Sequence, residues 1–408
     1  MSMAADQPGV GGGTDDPPPR GSGVSADPTR IRAGAPFCLL VFVILRVTLS
    51  AVAVIGVRAS GPVPGVPTPG VASEASVTPG WHNALDGTDR FDAGWYIDIS
   101  QHGYRPDDGS AAFLPLYPLS IIVVSRLLGG HELVAALLVS NVCFLLSLMV
   151  LHALTVEEYD LATARRSVVI AAAFPTSFFF LAPYSESLYL LLSLLTFRFA
   201  RRRRWPASGV AGAAAAVTRS VGVALVPALA VQAWERRRAG DRWVPAAVAA
   251  CAVLVGPVLY VVYWFARGSA RAPLHAQAGW DRHLTFPLTA LWRGLTLGIQ
   301  GATDTLGRYW TADLIVTALA VVPLVVGWKR VRASYAVYAA VSLLLPLSYP
   351  LAARPLLSVP RFVAVLFPVY WIWATYLSTR TRVTVAIALS AGAWCVLALA
   401  FMDRRPFF

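Results

Sequence analysis

The chain has 408 residues, of which 56% are hydrophobic and 14% are charged, and its formal net charge at pH 7 is +12. A soluble domain carries about 25% charged residues, so this composition excludes an ordinary soluble protein and indicates a polytopic membrane protein. The arginines stand at the ends of apolar runs, where they orient a chain in an anionic membrane. The sequence therefore favours the lipid bilayer over a nucleic acid as their partner.

The N-terminal segment is predicted to be a cytoplasmic tail, and the first apolar run is predicted to be a membrane-spanning helix. Residues 1–35 are rich in Gly, Pro, Asp and Ser, which predicts a disordered cytoplasmic tail. The run 36–57 is long enough to span a bilayer. The sequence at 51–53 resembles a signal-peptide cleavage site, so a cleaved leader is the alternative. We favour a retained helix, because the run exceeds the roughly 7–15 residues of a signal-peptide core.

Arginine-rich segments divide the rest of the chain and mark the cytoplasmic side. They lie at 165–166, 201–204, 236–238, 329–332 and 380–382. The predicted spans between them are 133–155, 167–183, 185–200, 244–266, 311–328, 334–350, 360–378 and 383–400. Two short apolar segments within 206–234 enter the membrane and return, with Arg219 at the break between them. The fold predicted for residues 36–400 is an all-α polytopic bundle of about 9–11 transmembrane helices, followed by a short tail at 401–408.

This topology places two long loops, 58–132 and 267–310, on the outer side of the membrane. The run 113–128 is apolar enough to span, but a crossing there would reverse every later segment. We therefore predict a juxtamembrane or re-entrant helix for it. Residues 286–299 in the second loop have the pattern of an interfacial helix.

The first outer loop contains an acidic and aromatic cluster. Asp89, Asp92, Trp95 and Tyr96 recur at helical spacing, which predicts that they share one face of a helix, with Asp98 pointing elsewhere. The structural alternative is that Asp89 caps this helix and Asp92 completes a capping box. Either interpretation places a carboxylate beside aromatic rings that could stack on a sugar.

A single positioned carboxylate suits the transfer of a sugar from a lipid phosphate. Phosphate is already a good leaving group, so one base that takes the acceptor proton is enough, whereas glycosidases need paired acids. A general base contributes about 10²–10⁴-fold to the rate. Asp92 is our candidate for this base.

Three arginines, Arg46, Arg219 and Arg361, interrupt apolar stretches. An arginine at the bilayer centre costs about 2.5–3.5 kcal/mol, so pairing or function is expected of each. Arg219 and Arg361 lie near the outer ends of their helices, which makes them candidates for binding the donor phosphate. The alternative is snorkelling or a structural ion pair, for instance with Glu186 in the hairpin turn 183–187. Arg46 is expected to be structural.

The six histidines show no spacing typical of metal ligands, and no Gly-rich phosphate loop is present. His82 and His102 lie near acidic residues of the first outer loop. A divalent metal is therefore possible but not indicated, and we predict no cofactor.

These motifs taken together resemble the PIG-V-type mannosyltransferases, a family of multispanning glycosyltransferases in the GT-C superfamily. The resemblance covers roughly residues 36–378. Its segments are 90–96, 103–104, 113–118, 174–175 with 182–188, 218–222 with Leu225, and 358–362 with 367–368.

The resemblance implies a GT-C glycosyltransferase-like bundle and an inverting enzyme that uses a polyprenyl-phosphate mannose donor. It also implies a site facing away from the cytoplasm, and it places the first-loop aspartate of the family on Asp92. Two departures are present. Phe91 stands where the family often has Trp, and 218–222 reads Thr-Arg-Ser-Val-Gly in place of Thr-Arg-Pro-Thr-Gly. Neither departure removes a charge, so activity is expected.

We therefore predict a mannosyltransferase of the plasma (inner) membrane, with a cytoplasmic N-terminus and a glycolipid or lipoglycan acceptor. Asp92 acts as the base, and Arg219 and Arg361 hold the departing phosphate. The substrate contacts are assigned to Trp95, Tyr96, Tyr104, Tyr117, Tyr184, Glu186 and Asp89. The alternatives are a glycolipid transporter or flippase and a non-catalytic accessory subunit of a glycan assembly complex.

Overall fold

The computed structural model describes residues 34–60, 85, 87–279, 281–303 and 308–402. Most of these residues form α-helices joined by short 3₁₀ turns and loops, so the predicted all-α class is confirmed for this part of the chain. The helices are α1 (Gly34–Ser60), α2 (Asp92–His102), α3 (Leu116–Leu127), α4 (Glu132–Glu158), α5 (Leu161–Ala173), α6 (Glu186–Arg201), α7 (Trp205–Ala216), α8 (Leu225–Arg238), α9 (Val244–Ala252), α10 (Val255–Ala266), α11 (Ala272–Gly279), α12 (Pro287–Gln300), α13 (Arg308–Gly327), α14 (Ala333–Ser348), α15 (Val359–Ala364), α16 (Phe367–Tyr376) and α17 (Arg380–Met402). Most of the predicted N-terminal tail, residues 61–84 of the first outer loop and the C-terminal residues 403–408 lie outside the described residues.

Within the described ranges, five helical stretches are long and apolar enough to cross a bilayer. They are Gly34–Gly56, Glu132–Glu158, Val244–Ala266, Tyr309–Arg330 and Arg380–Met402. Each one corresponds to a run that hydropathy alone predicts as a span. The protein is therefore a multi-pass membrane protein, and the larger total of about 9–11 crossings stays a prediction.

The predicted spans 167–183 and 360–378 are each divided at a proline in the structure. α5 ends at Ala173, because Pro175 disfavours a helical conformation at Phe174, whose backbone is extended (φ −57°, ψ 137°). The run 360–378 forms α15 and α16, and Pro368 stands in the first turn of α16, where a missing N–H group costs nothing. The prolines thus convert single apolar runs into shorter helices.

The predicted break within 206–234 is confirmed. α7 and α8 are separated by a 3₁₀ turn, Ser220–Ala224, and Arg219 before it is extended (φ −146°, ψ 141°). Gly222 lies directly against the preceding helix, since a Cβ at this position would stand 2.5 Å from the Cα of Ala216. A glycine is therefore required for the turn that follows Arg219 to pack this closely.

Two helices in the predicted outer loops are too short to count as membrane spans. α3 has 12 residues and is about 18 Å long, in agreement with a juxtamembrane or re-entrant helix. α12 buries Ala290 and Gly294 and exposes Leu288 and Trp292. The predicted helix in the second outer loop is thus present with an apolar exposed side, and its place at the lipid interface stays a prediction.

Two of the arginine-rich segments, 201–204 and 329–332, meet at the C-terminal end of α4. Glu158 at the end of α4 is the acceptor for Arg201 at 2.5 Å and for Arg332 at 2.8 Å. The hydroxyl of Tyr335 donates to Glu158 Oε1, the same oxygen that contacts Arg201, at 2.9 Å. These bonds connect the last turn of α4 to the last turn of α6 and the first turn of α14. We call this end the arginine belt.

Candidate active site

Asp92 is presented by a turn that the C-terminal helix holds in place. It is the first residue of α2, and Phe91 before it has a positive φ of 52°, a region that is strained for a side chain of this size. The Phe91 ring packs on Phe401 of α17, with ring centroids 5.7 Å apart. Arg90 Nε donates to the carbonyl of Met402 at 3.3 Å. Contacts distant in sequence therefore fix the start of α2.

The capping alternative for Asp89 is wrong. Phe91 is the N-cap of α2 and makes no side-chain capping bond, so Asp89 lies before the helix and not on its face. Asp98 does point elsewhere, as expected, because it pairs with His102 at 2.9 Å and with Arg105. A substrate contact of Asp89 stays a prediction.

Four charged side chains from distant parts of the chain meet beside α2, and we call them the ion-pair cluster. Arg361 Nη1 donates to Asp92 Oδ2 at 2.6 Å, and Arg361 Nε donates to Glu186 Oε1 at 2.8 Å. Arg219 Nη1 lies 2.7 Å from the same Glu186 oxygen. The Glu186 side chain is fully buried, whereas that of Asp92 is 25% exposed. Asp92 is therefore the member of the cluster that an incoming substrate can reach.

Aromatic rings surround the two guanidinium groups. The Cζ atom of Arg361 lies 4.7 Å from the ring centroid of Tyr184 and 5.3 Å from that of Phe179. The Cζ atom of Arg219 lies 4.6 Å from the ring centroid of Phe362. Such faces stabilise cations where water is excluded. This setting permits two arginines to stand in an apolar bundle.

The ion-pair cluster also has hydrogen-bonding capacity left over. Glu186 Oε2 and Arg219 Nε are buried, and neither has a hydrogen-bond partner among the described residues. Buried polar atoms usually have a partner, so a water molecule or a polar group of a substrate could donate to Glu186 Oε2 and accept from Arg219 Nε.

Tyr96 connects α2 to the ion-pair cluster through Ser185, a residue that was not among the predicted site residues. Its hydroxyl lies 2.8 Å from Ser185 Oγ, and Arg219 Nη1 donates to the same oxygen at 3.3 Å. Burial raises the pKa of the Tyr96 hydroxyl above its ordinary value, and the nearby Glu186 carboxylate raises it further. The phenol is therefore a neutral hydrogen-bonding group at physiological pH.

Trp95 and Tyr117 are placed behind the site. The Trp95 ring stacks on Phe113, with centroids 5.6 Å apart, and only 2% of the residue is exposed. The hydroxyl of Tyr117, which is completely buried, lies 2.7 Å from Ser140 Oγ. In this arrangement both rings support α2 by packing α3 and α4 against it, and a direct contact with a sugar stays a prediction.

Tyr184 and Tyr104 occupy different positions. Tyr184 is buried under Arg361, and its hydroxyl donates to the carbonyl of Arg90 at 2.8 Å, which braces the turn before Asp92. Tyr104 is half-buried and donates to the carbonyl of Phe113 at 2.8 Å. Of these two aromatic candidates, Tyr104 has the more accessible ring.

The structure adds a third arginine to the neighbourhood of Asp92. Arg282, in the second outer loop, donates to Ser358 Oγ at 3.3 Å and to the carbonyl of Tyr349 at 3.4 Å. Burial lowers the pKa of its guanidinium from the ordinary value, while the nearby Asp92 carboxylate acts to raise it. Arg282 is therefore within electrostatic range of the site. Nothing in its sequence pattern predicts this position, because its partners lie 67 and 76 residues further along the chain.

Arg46 and the histidines stand apart from the ion-pair cluster. Arg46 Nη1 donates to the carbonyl of Leu181 at 3.3 Å, in agreement with a structural role. His102 pairs with Asp98, and His82 lies outside the described residues. In the part of the chain that the structure describes, no three His, Cys, Asp or Glu side chains come together as a metal site requires.

Comparison with known families agrees with this arrangement. Residues 39–237 match the family model described as Mannosyltransferase (PIG-V). This part of the chain is similar to the PIG-V mannosyltransferase family. The PIG-V match includes Asp92, Glu186 and Arg219 and ends before Arg282 and Arg361. The family resemblance expected from the sequence motifs is therefore confirmed, and the structure brings Arg361 into contact with Asp92 and Glu186 of the matched part.

Similar curated proteins are named GPI alpha-1,6-mannosyltransferase 2. The protein from Rattus norvegicus is 31% identical over 171 residues, which cover 39% of this chain and 34% of that protein. The protein from Mus musculus is 32% identical over 152 residues, covering 34% of this chain and 30% of that protein. The chain thus spans about a third of the length of the curated relatives it matches.

Among solved structures, the chain is similar to the oligosaccharyltransferase of Archaeoglobus fulgidus. The crystal structure with a tethered acceptor peptide has a TM-score of 0.46 at 13% identity, over 90% of this chain and 55% of that chain. The complex with an inhibitory peptide and a dolichol-phosphate has a TM-score of 0.43 at 12% identity, over 91% of this chain and 56% of that chain.

Proposed function

We propose that the protein is an inverting mannosyltransferase of the GT-C type. It transfers mannose from a polyprenyl-phosphate donor to a glycolipid or lipoglycan on the non-cytoplasmic side of the membrane. The observation that carries this proposal is the position of Asp92, a partly exposed carboxylate at the edge of two buried arginines. The match of residues 39–237 to the PIG-V family model supports the choice of mannose.

The reaction follows from the chemistry of these groups. Asp92 accepts the proton of an acceptor hydroxyl, and the acceptor oxygen attacks the anomeric carbon on the face opposite the phosphate. The bond between that carbon and the phosphate oxygen breaks, and its electron pair stays on the phosphate, so the configuration inverts. Arg361 and Arg219 stabilise the negative charge that develops on the departing polyprenyl phosphate.

Arg361 has two roles in this scheme. Its Nη1 is bonded to Asp92 at 2.6 Å, so this guanidinium holds the carboxylate in place. A donor phosphate competes for the same guanidinium, since arginine binds phosphate and carboxylate oxygens with similar geometry. Binding of the donor thereby frees an oxygen of Asp92 to accept a proton.

The side of the membrane is proposed from the direction of α6. Glu186 stands at its first residue and Arg201 at its last, so 16 residues, or about 24 Å, separate the ion-pair cluster from the arginine belt. Arginine-rich loops are retained on the cytoplasmic side. The ion-pair cluster therefore faces away from the cytoplasm, where a lipid-linked donor is presented.

The names of the curated relatives favour an α-1,6-linked mannose as the product and a lipid related to GPI as the acceptor. A glycolipid acceptor agrees with the membrane position of Asp92. Because the match covers about a third of each relative, both the linkage and the acceptor class are part of the proposal.

The experiment that tests this proposal is the substitution Asp92→Asn. Purified protein in lipid vesicles receives labelled polyprenyl-phosphate mannose and a membrane lipid extract, and the labelled products are separated. We expect transfer to fall by about 10²–10⁴-fold, because the amide retains the shape of the side chain but cannot accept the proton. Asp98→Asn on the same helix is the matched control and should transfer at the wild-type rate.

Each other outcome identifies an alternative. Wild-type rates in Asp92→Asn would remove this residue as the base. A wild-type protein that moves the labelled lipid across the vesicle membrane without transferring mannose would be a flippase. A wild-type protein that does neither would be an accessory subunit, and the proposed activity would be wrong.

A further inference from the structure

We propose that Arg282 binds the phosphate of the lipid-linked donor and is the third arginine of the active site. This inference rests on the proposed function, because it deepens the account of the same site. Arg282 lies in the second outer loop, outside the matched PIG-V segment.

The backbone around Arg282 is held at several points, so its side chain starts from a fixed place. An antiparallel bridge pairs Arg282 with Leu351. The amide of Thr285 donates to the carbonyl of Ser348 at 2.9 Å, and the amide of Arg282 donates to Gln277 at 3.2 Å. The loop that carries Arg282 is therefore fastened to the segment that leads into α15. A side chain on such a support loses little freedom when it binds a ligand.

The guanidinium group of Arg282 is directed toward the start of α15, the helix that carries Arg361. Its Nη2 donates to Ser358 Oγ at 3.3 Å, and Ser358 is the N-cap of that helix, with a positive φ of 68°. Its charge is close enough to interact with both Asp92 and Arg361. A phosphate bound by Arg361 would therefore lie within the field of Arg282.

Arg282 differs from the other two arginines in what balances its charge. Arg361 and Arg219 both contact carboxylate oxygens at 2.8 Å or less. The side-chain hydrogen bonds of Arg282 to Ser358 and Tyr349 go to neutral oxygens, at 3.3 Å and 3.4 Å. Long bonds to neutral acceptors are easily exchanged for a charge-assisted bond to phosphate.

The charge balance of the site supports this assignment. The two carboxylates and two guanidinium groups of the ion-pair cluster sum to zero, so the cluster itself supplies no excess positive charge. Arg282 adds one positive charge, which matches the single negative charge of a sugar phosphodiester. After the sugar leaves, the polyprenyl phosphate is a monoester with about −1.5 to −2 charges at pH 7, so the attraction grows along the reaction. Arg282 is thus expected to affect both donor binding and turnover.

The test measures phosphate binding separately from transfer. Purified protein in vesicles is titrated with polyprenyl phosphate, which has no sugar, and donor and acceptor kinetics are measured in parallel. Arg282→Gln keeps a polar side chain and removes the charge. Arg293→Gln is the matched control, because Arg293 is exposed in the same loop and donates to the carbonyl of Ala352 at 3.5 Å.

We expect Arg282→Gln to weaken polyprenyl phosphate binding, and to lower kcat/KM for the donor, by about 10–100-fold. The KM for the acceptor should stay unchanged in Arg282→Gln. Arg293→Gln should bind polyprenyl phosphate and turn over the donor as wild-type protein does. Wild-type binding of polyprenyl phosphate by Arg282→Gln, or an equal loss in Arg293→Gln, would overturn the assignment.

A second variant tests the charge without depending on Arg282→Gln. In Arg282→His the side chain gains its charge only as the pH falls below about 6.5. Relative to wild-type protein, it should therefore bind polyprenyl phosphate more tightly at about pH 5.5 than at about pH 7.5. If the affinity of Arg282→His for polyprenyl phosphate, relative to that of wild-type protein, does not change with pH, the proposal is contradicted. A purely structural role for the side chain predicts no such change.

The outcomes separate this inference from the proposed function. If wild-type protein transfers mannose and Arg282→Gln does so with an unchanged kcat/KM for the donor, only the role of Arg282 fails. If wild-type protein binds polyprenyl phosphate in an Arg282-dependent way and transfers no mannose, the phosphate site stands and the transferase activity fails.

Discussion

Glu186 is the residue on which both arginines of the ion-pair cluster depend. One of its oxygens accepts from Arg361 at 2.8 Å and lies 2.7 Å from Arg219 Nη1, and the side chain has no exposed surface. A buried charge is tolerated only when it is paired, because the lost hydration costs several kcal/mol for each ion. Removal of Glu186 would leave Arg219 without its carboxylate, while Arg361 would keep Asp92.

We predict that Glu186→Gln destabilises the protein by about 3–5 kcal/mol, since it leaves a buried guanidinium without its counter-ion. Reversible unfolding in detergent measures this change. The double variant with Arg219→Gln should be more stable than Glu186→Gln alone, because the orphaned charge is gone. Glu132→Gln is the control, since its partner Gln101 makes an exposed contact at 3.4 Å. Equal stabilities of Glu186→Gln and Glu132→Gln would contradict this account.

At the scale of single residues, the sequence predicts the groups that are costly in lipid and misses those that are not. Arg219, Arg361 and Glu186 are found because a charge among apolar residues requires an explanation. Ser185 and Arg282 carry no such signal. A serine in a turn and an arginine in an outer loop are both ordinary, and only the folded chain shows that each adjoins the ion-pair cluster.

At the scale of helices, uninterrupted apolar runs are predicted well, because a lipid-facing helix needs nothing from the rest of the chain. α1, α4 and α17 follow the predicted spans. The start of α2 could not be predicted in this way. It depends on contacts of Phe91 and Arg90 with α17, which lies about 300 residues further along the chain. Local capping rules favour Asp89 instead, and the tertiary contact outweighs them.

We predict that Gly222→Ala displaces the turn that carries Arg219. The new Cβ would stand 2.5 Å from the Cα of Ala216, so the turn must shift, at a cost of about 1–3 kcal/mol. Mannose transfer should fall more than the amount of folded protein does. Gly392→Ala is the matched control, because nothing lies within 4 Å of its added Cβ, and a helical alanine should be neutral or stabilising. Unchanged transfer in Gly222→Ala would show that the close packing of this turn is not needed.

At the scale of the whole molecule, two chemically different ends define the protein. α4 and α6 both run between them, from the first outer loop and the ion-pair cluster to the arginine belt. The arginine positions in the sequence predict this separation, because each basic segment ends an apolar run. The sequence does not predict how the second outer loop folds back to bring Arg282 near Asp92, since that depends on backbone pairing between 282–285 and 348–351.

We predict that the two ends lie on opposite sides of the membrane, with the ion-pair cluster outside. Asp107 is exposed beyond α2, and Arg242 is exposed beyond α8 at the arginine-rich side. In intact cells a membrane-impermeant thiol reagent should label Asp107→Cys, and it should label Arg242→Cys only after permeabilisation. The unsubstituted protein is the control, because its cysteines at 38, 143, 251 and 395 lie within apolar helices, where such a reagent reacts poorly. The reverse labelling pattern would place Asp92 on the cytoplasmic side, where it could not reach a donor presented at the outer face of the membrane.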